Sequence, residues 1–156
     1  MIRVILILLL IIPVQGFANE TSLAEIRSLY HKATTQEKFC KTLSQLQVPK
    51  NGINSSVIAG YKAAATIIMA KYSFNPATKI SYFRKGQKML EAAIFEDKKN
   101  VELRYLRFTI QTNAPSFLGY SSSIKADREF LTAALPSLTD LTLKQMITRY
   151  LNKMKD

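Results

Sequence analysis

Arg104, Arg107 and Gln111 stand i, i+3, i+7 apart in the least generic stretch of the chain, Asn100 to Tyr120. At about 100° per residue, a helix puts all three on one polar strip. Two guanidiniums and a carboxamide so aligned can grip a carboxylate or phosphate through charge-assisted hydrogen bonds. They can equally pair with Glu91, Asp127 or Glu129 and lock helices together, because a buried arginine needs a partner. Asn113 follows the strip, and Tyr120 ends the aromatic segment behind it. The candidate binding set is therefore Arg104, Arg107, Gln111, Asn113 and Tyr120. Exposure decides its role: an open cleft favours binding, and pairing beneath the surface favours scaffolding.

Catalysis has little to work with. His31 is the sole histidine, so any triad would depend on that one imidazole, which follows Tyr30 on a polar helix face. One histidine, one cysteine and scattered carboxylates make no metal-ligand cluster. The five glycines are isolated and form no phosphate-cradling loop. No catalytic residue, metal or cofactor is implied. The enzymatic alternative is a small envelope hydrolase using carboxylates such as Glu91 or Asp127. Cys40, beside Phe39 and three residues before Leu43, reads as a buried thiol, with an intermolecular bridge as the sharper alternative.

The strip needs a rigid support. Val101, Tyr105 and Phe108 fall on one side of a helix, and Leu103, Leu106 and Ile110 on the other. A helix apolar on two sides is buried between neighbours. A bulged strand also fits the alternation Val101 to Tyr105. Helix is the stronger reading, because Asn100 is a good N-cap and Glu102 sits where the dipole favours an anion.

The flanking segments are helical as well. Ser22 to Glu25 is a capping box opening a helix with Leu23, Ile26, Tyr30 and Ala33 inward. Thr34 to Glu37 repeats the device before Phe39, Cys40, Leu43 and Leu46. Ile53 to Phe74 is the longest helical pattern, with Ile53, Val57, Tyr61, Ala64, Ala65, Ile68 and Tyr72 on one face. Its Ala59, Gly60, Ala63 and Ala64 admit a close neighbour. Asn75-Pro76 restarts the chain as cap and first helical residue, with Ile80, Phe83, Leu90, Ala93 and Ile94 inward. Pro115 to Tyr120 is expected to fold back as an aromatic lid. Two further helices follow, the last capped by Thr139 or Asp140. The fold class predicted is all-α, about seven helices in stacked antiparallel hairpins, in one domain.

Residues 1–18 read as a secretory signal peptide: a basic start at Arg3, an apolar run Val4 to Ile12, and Gly16-Phe17-Ala18 as cleavage site. A span needs about 20 apolar residues, more than this run supplies. The expected product is residues 19–156, in the periplasm or secreted, touching the membrane only in transit. Arg3 is the leader's one charge, so the product carries one less than the +11 of the whole chain. That excess attracts anionic partners: a peptide, a glycan or an envelope protein. Export makes nucleic acid a poor partner.

Gly86 to Ile94, followed by Glu96 to Glu102, resembles the second helix of a tetratricopeptide repeat entering the next repeat. Lys98 stands where that family prefers proline, and the likeness covers about one repeat. Ala70 to Pro76, Glu102 to Arg107 and Pro115 to Tyr120 together resemble an uncharacterised exported protein family of Bacteroidetes-type bacteria. That resemblance implies export and no particular activity. The reading is a non-catalytic, exported binding module of helical hairpins with a basic groove. A peripheral protein on an anionic membrane surface is the third alternative.

Overall fold

The computed structural model describes residues 22–154. The expected signal peptide lies outside them. Among the described residues there is no strand, and seven α-helices follow one another in a single helical domain. They are α1 (Leu23–Ala33), α2 (Glu37–Ser44), α3 (Ser55–Tyr72), α4 (Pro76–Glu96), α5 (Val101–Asn113), α6 (Ile124–Ala134) and α7 (Leu141–Lys153). Short 3-10 turns occupy Ser116–Leu118 and Leu135–Ser137.

Side-chain caps set several of the boundaries. The Ser22 hydroxyl accepts from the Glu25 amide, and Asn75 Oδ1 accepts from the amides of Ala77 and Thr78. Asn100 Oδ1 takes the amides of Glu102 and Leu103, and Asp140 Oδ1 that of Leu143. Each satisfies donors that have no partner inside the helix. The second capping box does not form. The Thr34 and Thr35 hydroxyls turn back to the carbonyls of His31 and Lys32 and close α1 instead, so α2 starts without a side-chain cap.

Helices α3 and α4 pack as the most intimate pair, with α2 on α3, α1 on both, and α6 on α5. Gly86 is what lets α4 approach. A Cβ there would stand 2.7 Å from the Ala63 carbonyl oxygen and 2.7 Å from the Ile67 amide nitrogen, both backbone atoms. Gly60 plays the matching part toward α5, receiving the Leu103 side chain. Helix α5 is the centre: Leu103, Leu106 and Phe108 are fully buried, and most of its polar residues are buried with them. It is a helix apolar on both sides, and the strand alternative falls away.

Four apolar positions differ from expectation: two that periodicity put inward, one at the end of a helical pattern and one in the lid. Ile53 precedes α3 in a turn and is 98% exposed, because the helix begins only at Ser55. Phe74 lies past the end of α3 and is 100% exposed. Ile80, in the first turns of α4, opens onto a groove instead of a neighbouring helix. In the aromatic lid, Leu118 and Tyr120 are buried as expected, but Phe117 is 78% exposed. Among the described residues no helix is long and apolar enough to cross a membrane.

Candidate functional site

The strip on α5 is taken up by charge pairing. Asp127 of α6, with no exposed surface, receives Arg107 through Nε and Nη2 at 2.7 and 2.8 Å, and Arg104 through Nη1 at 2.8 Å. Arg107 Nη1 also donates to Glu91 of α4 at 2.9 Å, and the Tyr120 hydroxyl donates to the other oxygen of Glu91. Burial alone would lower the Arg107 pKa, but Asp127 and Glu91 outweigh it and hold the group above its ordinary range. Burial, then the bond to Glu91, pushes the Tyr120 phenol up. Three helices and the segment behind α5 are thus tied to one another by two arginines and two acids.

A second cluster, which the sequence reading missed, sits at the start of α5. Glu102 accepts both Nε and Nη2 of Arg27 at 2.7 Å and the Tyr61 hydroxyl at 2.6 Å. Arg27 Nη2 also reaches Asp140, the cap of α7, at 2.8 Å. The bond to Glu102 is the main reason that Arg27 titrates above its ordinary range, and the bond from Arg27 draws Asp140 below its own. The available clue was positional. Glu102 lies in a helix apolar on both sides and so had little water to retreat to, whereas nothing local marks Arg27.

Gln111 and Asn113 part company. Gln111 is buried with neither side-chain polar atom bonded to protein. Asn113 Nδ2 donates to the Thr109 carbonyl at 2.7 Å and to the Tyr150 hydroxyl at 2.6 Å, and it borders the groove. Cys40 is buried with its thiol against the Ala65 carbonyl, and burial, aided by Glu37, pushes its pKa up to about 12. Such a thiol is inert near neutrality. His31 is exposed at the groove rim. Among the described residues, no group of His, Cys, Asp and Glu could hold a metal ion.

The groove itself has a volume of about 990 Å³. Helices α1 and α7 flank α5 without packing closely on each other, so the outer face of α5 is left as a floor. Ile67, Phe83, Ile110 and Leu118 supply buried apolar wall, while Ile80 and Phe117 stand at the mouth. Arg27, paired with Glu102 and Asp140, is in the lining; four further cations, Lys71, Lys79, Arg149 and Lys153, border it, and no Asp or Glu does. None of these four cations has an acidic partner among the described residues. Of the candidate residues, Asn113 is on this groove; Arg104, Arg107, Gln111 and Tyr120 are not.

The sequence did hold a signal for this distribution. Residues 38–90 contain nine Lys and Arg and no Asp or Glu, so α3 and most of α4 have no internal source of neutralisation. The acids that pair with arginine all come from Glu91 onward. No protein-family model matches the chain, and no curated protein or solved structure is significantly similar to it.

Proposed function

We propose that the protein is a non-catalytic binding module, and that its ligand is an anionic amphiphile held in the groove between α1 and α7. The carrying observation is an apolar-walled groove bordered by four cations unpaired among the described residues, besides the paired Arg27, with no acid in its lining. The volume of about 990 Å³ lies at the upper end for small-molecule sites, which are typically apolar with a few placed polar groups. Each buried methylene of an acyl chain contributes roughly 0.8 kcal/mol, and the border cations add preference for a carboxylate or phosphate. A hydrolase built on Glu91 and Asp127 is the weaker reading, because both acids are engaged by Arg107 and lie away from the groove.

Three ligands with matched twelve-carbon chains test the proposal: laurate, dodecanol and dodecylamine. Calorimetric titration below their aggregation thresholds is expected to rank laurate first and the amine last. Ile80→Glu, a change at an exposed position on the wall, is expected to weaken laurate at least tenfold. Equal affinity for amine and carboxylate would contradict the proposal, and so would laurate binding that ignores Ile80→Glu.

A further inference from the structure

One edge of the molecule gathers cations and exposed apolar side chains that the groove alone does not explain. Phe74, wholly exposed, is the tip of the α3–α4 hairpin, and Lys71 and Lys79 stand on either side of it in the chain. Ile80 and Phe117 reach solvent at the groove mouth that these lysines border. Lys71 Nζ donates to the Thr34 carbonyl at 2.7 Å, which brings the α1–α2 corner to the same edge. That corner adds Lys32 and Lys38, both within cation–π range of Phe39. Glu37 is the one acid of this corner, against Lys32 and Lys38 of the corner and Lys71 and Lys79 of the adjoining hairpin. A soluble surface has no folding reason to leave a phenylalanine wholly exposed between lysines. Such a tip suits the boundary between lipid headgroups and acyl chains, where an aromatic ring inserts and flanking lysines meet anionic headgroups.

We infer that this edge docks on an anionic lipid bilayer, with Phe74 and Phe117 entering the interface and Lys71 and Lys79 contacting headgroups. Charge complementarity selects the occupant. Lys71 and Lys79 lie in the acid-free run of residues 38–90, so the hairpin tip carries positive charge with no acid close in the chain, which disfavours a second copy of the same edge. Docking there would set the groove mouth at the membrane surface. The inference goes beyond the binding of a soluble amphiphile and does not require it, because Phe74 does not line the groove.

Co-sedimentation with vesicles of phosphatidylglycerol and phosphatidylcholine tests it, against vesicles of phosphatidylcholine alone. Binding is expected only to the anionic vesicles and is expected to fall at least tenfold at high salt, as screening requires. Lys71→Glu with Lys79→Glu, and separately Phe74→Ser with Phe117→Ser, are each expected to reduce binding at least tenfold with helical content retained by circular dichroism. The control, Lys50→Glu with Lys99→Glu, makes the same change of charge in the segments beyond the far ends of α3 and α4 and is expected to reduce binding much less. No binding to anionic vesicles at low salt overturns the inference. Equal losses from the two lysine pairs also overturn it, since total charge would then explain the attraction. Phe74→Ser alone leaves laurate titration unchanged, so vesicle binding without laurate binding would sink only the groove.

Discussion

Helix α5 meets charge on two sides: on one every arginine is matched by an acid, and on the other, beyond the Arg27 cluster, four cations are not. Toward α4 and α6, Arg104 and Arg107 are enclosed with Glu91 and Asp127, and the cations are matched by acids within 3 Å. Toward α1 and α7, Arg27 is matched by Glu102 and Asp140, but Lys71, Lys79, Arg149 and Lys153 border the rest of the groove with no acidic partner among the described residues. The first arrangement fixes the relative position of helices, and nothing in it is free to receive a ligand. The second contributes little to the fold and leaves charge open to solvent. Arginine spacing alone does not separate them; what does is whether an acid of another helix reaches the same place.

The largest effect is expected on the enclosed side. Asp127→Asn leaves two arginines without their shared acid, and urea denaturation should show a loss of about 3–5 kcal/mol, as for breaking other buried ion pairs. A loss below about 1 kcal/mol, the range of exposed pairs, would mean that water reaches this cluster and that the contrast is overdrawn. Next comes Gly86→Ala, where the added methyl meets backbone of α3. Overpacking of this kind costs about 1–3 kcal/mol, and a thermal midpoint equal to the parent's would contradict the close crossing.

Buried phenols should make the enclosed interior sensitive to alkali. Burial raises the Tyr30 pKa to about 12, and Tyr61 and Tyr105 are raised by the same cause. A group with a raised folded pKa contributes stability that is complete below its unfolded pKa, about 10 for tyrosine. The contribution is lost as pH rises through the folded value. Urea midpoints should therefore fall between pH 10 and about 12, with tyrosinate absorbance rising as the protein unfolds. Asp140 works in the opposite direction: its lowered pKa adds stability above about pH 4, which is lost on acidification.

The smallest effects sharpen the comparison from the other side. Gln111→Leu removes a buried carboxamide that has no protein partner, so stability should hold or rise, whereas deleting a satisfied group would lower it by about 1–3 kcal/mol. A loss of that size would show that Gln111 has partners in solution.

The helices and most of the core were legible in the sequence, because caps such as Asn75 and Asn100 and the small residues of α3 act locally. Thr34 and Thr35 misled because a hydroxyl before one helix is equally placed to close the helix behind it. Arg27 and Glu102 are 75 positions apart, and no local pattern announces a pair that only the packing of α1 on α5 creates. The groove was hidden for a related reason. It is a gap between helices, and the identity of its walls depends on which helices fail to touch.

The most direct test compares two double variants in one laboratory preparation: Arg149→Ala with Lys153→Ala, and Arg104→Ala with Arg107→Ala. Laurate affinity and urea midpoint are measured on each. The groove pair should lose laurate affinity at least tenfold with stability within about 1 kcal/mol of the parent, as for surface changes. The enclosed pair should lose stability, and whatever remains folded should bind laurate as the parent does. The reverse pattern, with affinity following Arg104 and Arg107 and indifferent to Arg149 and Lys153, would contradict the assignment of the groove.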